Sequence, residues 1–335
     1  MAMFGMNKKK EADAIARFEQ QFYETEFDAM YAASYGQVDI PYVAPNYDPF
    51  PAGKDGSTVI LQNTVTLNGN GLSATNGQGA IYSGSLNYQV ANLQGVGARA
   101  RQEDSFTFAN AFDQSKMQEE GLLFVVCDGM GGMRDGKVAS EAAIASFRQS
   151  FAQMDMTGDI SKQLRDSIFV ASESVEEKLE GEGGSTAIVG IIYKEMLYFA
   201  SVGDSFLFIK RGNNLYQINR EHNMCNQIYL EDIEEGNLDP SHARNNREAV
   251  ALTSFLGMVG ISEVDGFKKP FKLREKDVIL ACSDGVGGVL SIDEMLNSLK
   301  MSGPEAMCHS LESGIVAHNK KNQDNYTALV INCTL

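Results

Sequence analysis

The chain has 335 residues, 43% of them hydrophobic, enough to bury a sizeable core and to exclude global disorder. Its 28 basic against 44 acidic side chains give a net charge of −16, a surface that repels nucleic-acid phosphates and anionic lipid, so neither nucleic acid nor membrane is expected as a partner. The five cysteines include no C-x-x-C pair, which suits a reducing compartment, and the amino-terminal stretch MAMFGMNKKKEADA has no signal-peptide core, so a cytoplasmic location is expected.

In chain order, the first division falls near residue 90. Residues 1–90 read as an extension. Within it, an amphipathic helix over 8–31 has Ile15, Phe18, Phe22 and Met30 on one face, and a linker over 32–57 holds four of the seven prolines. An alternating strand follows at 58–67, then a turn-rich stretch over 68–79. No chemistry is visible there, and a docking tail or extra packing layer is the expected role. Residues 91–335 are dense with regular structure. Apolar spacing predicts helices over 137–154 and 160–180, with Gly181 as the stop. STAIVGIIY and MLYFASVG flank a two-residue connection at Lys194–Glu195, and FLFIKR and NLYQIN flank another at Gly212–Asn213. DVILACSD (277–284) is a buried strand, helices begin near Ser291 and Pro304, and NYTALVINCTL closes the chain as a strand. This order is not an alternating βαβ pattern; it favours antiparallel sheets with helices outside.

Two segments echo one another. LFVVCDGMGG (123–132) and ILACSDGVGG (279–288) share an apolar run, a cysteine, an aspartate and Gly-x-Gly-Gly. Each places an aspartate, Asp128 or Asp284, at the rim of the core on a turn that glycine lets bend. Either alone also reads as a helix N-cap or turn residue. Two of matching build point instead to carboxylates gathered in a partly dry site, which repel unless cations neutralise them. Glu103 and Asp104 in RQEDSF, with Arg99 four residues before Glu103, occupy comparable places, as do Asp204 in SVGDSF and Asp324 in NQDNYTALVI; each alone is an ordinary turn carboxylate. Oxygen ligation without histidine or cysteine selects magnesium or manganese over zinc, and the four histidines show no metal spacing. A phosphate cradle is disfavoured: Gly136–Lys137 is followed by Val138 where a Walker loop needs Ser or Thr, and no βαβ unit surrounds a G-x-G-x-x-G. GEGGST (181–186) precedes a strand rather than a helix.

From about residue 90 to 335 the motifs RARQEDSF, VVCDGMGG, GGSTAIV, SVGDSFLFI, ILACSDGV and QDNYTALVI occur in the order seen in the protein phosphatase 2C family, and the chain resembles its bacterial-type members. The resemblance implies an α+β fold, a four-layer α-β-β-α sandwich of two central antiparallel sheets flanked by helices. It implies a metal-dependent serine/threonine protein phosphatase with two Mn2+ or Mg2+ ions and room for a third. Carried over, Asp128 would bridge the two metals, and the carbonyl of Gly129 would bind the second. Asp284 and Asp324 would complete the first metal, Glu103 and Asp104 would hold metal-bound waters, and Asp204 would help bind the third. Arg99 would grip the substrate phosphate, since a planar guanidinium donates paired hydrogen bonds at any working pH. Two metals roughly 3.5–4 Å apart activate a shared water for in-line attack on phosphorus, so no cysteine nucleophile is needed. Substrates would be phosphoproteins, as products of a serine/threonine kinase, and residues 1–90 are a candidate docking element.

This sequence departs from the family pattern at several places. Gln102 stands for a usual asparagine, Met133 for a frequent histidine, Lys137 for a frequent glutamate, and Phe206 for the arginine usual after GDS. Met130 stands where some relatives carry a histidine, and methionine cannot donate a proton to a leaving group. The segment Arg220–Leu256 would be the family's flap, its acidic run at 231–235 a solvated face or a preference for basic residues near the phosphosite. The rival reading is a weakly catalytic scaffold that docks a partner through the extension.

Overall fold

The structure is a computed structural model that describes residues 65–66, 86–111, 113–130, 135–237, 239–261 and 263–335. The helix expected over 8–31, the linker over 32–57 and the turn-rich stretch over 68–79 lie outside these residues, as does most of the strand expected over 58–67, of which β1 (Val65–Thr66) is described. The chain divides into two compact units. The smaller comprises, among the described residues, Met224–Ala251. It holds helices α4 (Met224–Glu234) and α5 (Ser241–Arg244) around a small core of Cys225, Tyr229, Ala243 and Ala249.

The larger unit is built on two antiparallel sheets. One runs in the order β1, β2 (Asn87–Gly95), β12 (Tyr326–Thr334), β11 (Val278–Cys282), β7 (Phe206–Arg211), β8 (Asn214–Gln217). The other runs β10 (Phe271–Lys272), β6 (Met196–Val202), β5 (Ala187–Tyr193), β4 (Leu122–Cys127), β3 (Ser105–Ala109), and β9 (Asp265–Gly266) also pairs with β6. Strand β2 runs across residue 90, where the composition changes.

Helices α2 (Gly136–Ala152) and α3 (Ile160–Leu179) cover the second sheet. Their buried residues include Ala139, Ala143 and Phe147 on α2 and Leu164, Ile168, Ala171 and Val175 on α3, at the three- and four-residue spacing of a helix face. Asp159 caps α3 through Lys162 N–H, and Glu180 and Gly181 end it in the left-handed region (φ 52° and 76°). On the first sheet lie α7 (Ile292–Ser298), opened by a reciprocal capping box between Ser291 and Glu294, and α8 (Pro304–His318), with proline in its first turn. This is the expected four-layer α-β-β-α sandwich. Every residue of β4 and β11 is buried, because each strand has a sheet on one face and helices on the other. A short helix α1 (Gln114–Glu120) between β3 and β4, capped by Asp113, was not anticipated; its sequence QSKMQEE carries no apolar periodicity.

Both expected hairpins form, with Tyr193 opposite Met196 and Arg211 opposite Asn214. Lys194 and Glu195 both take positive φ (49° and 65°), the twist that matches flanking strands. The hairpins belong to different sheets, so the chain crosses between sheets over Gly203–Ser205.

At one end the sandwich is pinned by a buried ion pair. Arg211, at the end of β7, donates Nε to Asp277 Oδ1 at 2.8 Å and Nη2 to Asp277 Oδ2 at 2.5 Å. The same Nη2 reaches the carbonyl of Lys272 on the opposite sheet at 2.9 Å, and the guanidinium lies 4.4 Å from the centre of the Phe271 ring. Asp277 is 1% exposed, so removing its partner strands a buried charge. Arg211→Met is expected to destabilise the fold by about 3 kcal/mol, read as a lower urea midpoint, while a conservative surface change such as Lys276→Arg leaves it unmoved.

Candidate metal centre

Strand register brings the acidic residues to the end opposite Arg211. Cys127 pairs with Ser105, so Asp128, just past β4, stands beside Asp104, just before β3. Cys282 pairs with both Phe206 and Ala328, so Asp284 after β11, Asp204 before β7 and Asp324 before β12 gather at the same end of the first sheet. Gly95 pairs with Tyr326, which carries the loop after β2, and Arg99 with it, to Asp324.

Side-chain hydroxyls fasten these loops across the two sheets. Asp128 N–H donates to Thr186 Oγ1 at 3.1 Å, and its carbonyl accepts from Thr186 N–H and Ser185 Oγ, both at 2.9 Å. Thr186 Oγ1 shares a 2.7 Å hydrogen bond with Ser205 Oγ, linking the Asp128 and Asp204 loops. The GGSTAIV motif therefore extends the β4–β5 ladder past Asp128. His222, 2% exposed, holds the crossing that bears Asp204, accepting Gly203 N–H on Nδ1 at 3.1 Å and donating its own N–H to the Gly203 carbonyl at 2.9 Å.

Asp104 is fully buried. Its Oδ2 accepts from Ser283 Oγ at 2.9 Å and Thr327 Oγ1 at 2.7 Å, both on the other sheet, and its Oδ1 has no hydrogen-bond partner. Neither echoed aspartate caps a helix. Asp135 and Ser283 hold the cap positions of α2 and of α6 (Asp284–Gly287), and the Ser283 hydroxyl is spent on Asp104.

The glycines after these aspartates do not act through left-handed φ. A Cβ on Gly129 would lie 2.0 Å from the Gly136 carbonyl oxygen, and one on Gly285 would lie 1.9 Å from that of Asn325. Both are glycine because another backbone passes where a side chain would be. Phe206, where an arginine was expected from the family, is 1% exposed and stacks on Phe208 with ring centres 5.8 Å apart. Its ring also fills the space beside Gly287, so it packs the Asp204 loop against the helix that opens with Asp284.

Arg99 is half-exposed and donates Nη2 to Asp324 Oδ2 at 2.5 Å; the charges of Asp284 and Glu103 also bear on it. The loop beneath it is strapped to the Asp324 turn. Ala98 N–H donates to the Gln323 carbonyl at 2.7 Å, and Asn325 Nδ2 donates to the carbonyls of Val96 and Arg101 at 2.8 and 2.9 Å.

The carboxylates repel one another. Burial, then the charges of Asp104, Asp284, Asp324 and Asp204, holds the Asp128 carboxyl well above the usual range. Burial, with Asp284 and Glu221 next, does the same to Asp204. Asp104 is pushed up to about 7 by burial, with the Thr327 and Ser283 hydroxyls pulling down and the Asp284 charge pushing up. Glu221 is the residue that sequence reasoning missed. Burial pushes it up to about 7, although Gln217 Nε2 and Asn223 Nδ2 donate to its oxygens at 3.2 and 3.0 Å, and Asp284 adds to the rise. Glu221 stood inside the expected flap, but the hydrogen bonds of His222 tie that part of the chain to the Asp204 crossing.

All the sequence-predicted residues, Arg99, Glu103, Asp104, Asp128, Gly129, Asp204, Asp284 and Asp324, thus come to one end of the sandwich. Among the described residues, no three His, Cys, Asp or Glu side chains already stand in a common ligand geometry, and Asp324 gives one oxygen to Arg99. In kind the donors fit hard divalent cations: they are oxygens, they crowd like charges in a partly dry site, and Asp104 Oδ1 is buried without a partner.

Comparison with known proteins agrees with this geometry. Residues 88–228 match the family described as Protein phosphatase 2C, a span that includes Arg99 through Asp204 and stops short of Asp284 and Asp324. The serine/threonine phosphatase stp of Listeria welshimeri is 28% identical over 218 residues, 62% of this chain and 83% of the relative. The crystal structure of the Mycobacterium tuberculosis serine/threonine phosphatase PstP/Ppp superposes with a TM-score of 0.61 at 23% identity, covering 74% of this chain and 99% of that one. A catalytic domain of PstP in complex with two manganese ions gives 0.59 at 22%, covering 75% of this chain and 100% of that one. Residues 88–228 thus match the protein phosphatase 2C family model, and the chain is similar in sequence and in fold to bacterial serine/threonine phosphatases.

A carboxyl whose pKa is raised on folding binds more protons in the folded than in the unfolded state between its two pKa values, so stability falls as pH rises through that window. For Asp104 and Glu221 the window runs from their ordinary values near 4 to about 7. In EDTA, the thermal midpoint is expected to fall as pH is raised from about 5 to about 7.5, in differential scanning calorimetry. A midpoint that rises over that range would contradict the burial of these carboxyls.

Proposed function

We propose that this chain is a metal-dependent serine/threonine protein phosphatase, hydrolysing phosphoserine and phosphothreonine in proteins. The observation that carries the reading is the gathering of Asp104, Asp128, Asp204, Asp284 and Asp324 at one end of a phosphatase-family sandwich, with the Arg99 guanidinium at its edge. Asp128, the Gly129 carbonyl, Asp284 and Asp324 would hold two Mn2+ or Mg2+ ions, and Asp204 would contribute to a third. When bound, such ions lower the pKa of water and neutralise the phosphoryl oxygens.

The protein's own groups do the rest. Asp128 would hold both ions through its carboxylate, and its backbone is already fixed by Thr186 and Ser185. Glu103 and Asp104 accept hydrogen bonds from water and orient it, Asp104 with Oδ2 already anchored to Ser283 and Thr327. Arg99, half-exposed on a strapped loop, can turn from Asp324 to a phosphate and bind two of its oxygens in parallel. Cys127 and Cys282 are fully buried, and burial pushes both thiols up, so neither supplies a thiolate nucleophile. Attack by water on phosphorus, with departure of the serine or threonine oxygen, needs no phospho-enzyme. Met130 has no proton to give, so water protonates the leaving oxygen.

The reading is tested on p-nitrophenyl phosphate and a phosphothreonine peptide. Turnover with Mn2+, its loss in EDTA, and a drop of at least about 100-fold in Asp128→Asn are expected. Absence of turnover at every Mn2+ concentration in folded protein would contradict it and return the scaffold reading.

A further inference from the structure

The dipeptide Glu103–Asp104 precedes β3 and makes none of its ladder bonds, so its backbone must be satisfied from outside. Side chains do this at every group. Glu103 N–H donates to Asn325 Oδ1 at 2.7 Å, and Asp104 N–H to Gln102 Oε1 at 2.9 Å. The Glu103 carbonyl accepts from Ser140 Oγ at 2.5 Å. The Asp104 carbonyl accepts from Lys137 Nζ at 2.8 Å and, more weakly, from Gln94 Nε2 at 3.4 Å.

Lys137 also donates to Ser105 Oγ at 2.9 Å, and that hydroxyl meets Ser140 Oγ at 2.9 Å. One turn of α2 therefore clamps both carbonyls of the acidic dipeptide. The same turn begins with Gly136, whose carbonyl closes on Gly129, beside Asp128. The ammonium is placed on a carbonyl and a hydroxyl rather than on a site carboxylate, so it orders Asp104 without occupying its free Oδ1. A glutamate at this position, which the family pattern led one to expect, has no proton to donate to the Asp104 carbonyl.

We propose that Lys137 is a positioning residue of this active site, holding the Glu103–Asp104 peptide so that the Asp104 carboxylate meets the reacting end of the site in one orientation. The inference rests on the phosphatase reading for its kinetic consequence and on the hydrogen-bond geometry for its structural one. Lys137 is partly exposed and its helix is anchored by Ala139, Ala143 and Phe147, so its loss leaves the fold intact.

Lys137→Met keeps the stem and removes the donors, and Lys137→Arg keeps donors and charge. With p-nitrophenyl phosphate at saturating Mn2+, Lys137→Met is expected to lower kcat about 10-fold with KM within about twofold of wild type, and Lys137→Arg to restore most of kcat. Mn2+ titration by calorimetry is expected to show binding weakened about 10-fold in Lys137→Met and near wild type in Lys137→Arg. Unchanged kcat and Mn2+ affinity in Lys137→Met would overturn the proposal. So would a loss that Lys137→Arg does not repair and that tracks a fall in the thermal midpoint, since that is plain structural support. A wild-type protein that binds Mn2+ and shows the titration shift in Lys137→Met, yet turns over nothing, upholds the positioning role and sinks the phosphatase reading instead.

Discussion

Several carboxylates held together out of water repel, and the architecture of this protein is arranged to keep them there. Each pays a desolvation penalty and each raises the cost of charging its neighbours, as the upward shifts of Asp128, Asp204, Asp104 and Glu221 record. A chain free to relax would splay such groups into solvent. It does not, because the aspartates sit where strands of the sandwich start or end, on buried ladders that extend far from the site, and Glu221 is held in its loop by Gln217 and Asn223.

The two sheets are joined differently at their two ends. Far from the acidic cluster, the Arg211–Asp277 pair is closed and internally neutral, and Phe271 and the Lys272 carbonyl complete its coordination. At the cluster, the joints are hydroxyls: Ser283 and Thr327 on Asp104, and Thr186 on Ser205. Hydroxyls orient a carboxylate without cancelling its charge. Of the cations in the vicinity, Lys137 is held on a backbone carbonyl and a hydroxyl, and Arg99, at the rim, takes one oxygen of Asp324. The carboxyl oxygens are thus oriented toward one end of the sandwich with no buried cation of the described residues among them, a donor set that suits divalent ions.

The sequence made much of this legible. Helical spacing located α2 and α3, the pairs Lys194–Glu195 and Gly212–Asn213 located two hairpins, and the echo of CDGMGG in CSDGVGG singled out Asp128 and Asp284. What stayed hidden depends on approaches between segments far apart in the chain. Glu221 lies in INREHN, which has no period and resembles any loop, and only the His222–Gly203 bonds reveal its neighbours. Lys137 stood out in the sequence only as a departure from a frequent glutamate, and its place on the Asp104 carbonyl comes from the fold. Gly129 and Gly285 suggested turns, but crowding by the Gly136 and Asn325 carbonyls is what requires them. Phe206 looked like the loss of a site arginine and proves to be core packing beside Gly287.

Whether this carboxylate cluster binds divalent cations is read, independently of turnover, by calorimetric titration of Mn2+ into the metal-free protein at pH 7.5. Saturable binding of at least two ions per chain is expected, with Asp128→Asn removing or greatly weakening the tightest of them. A flat titration in folded wild-type protein, or one that Asp128→Asn leaves unchanged, would contradict it.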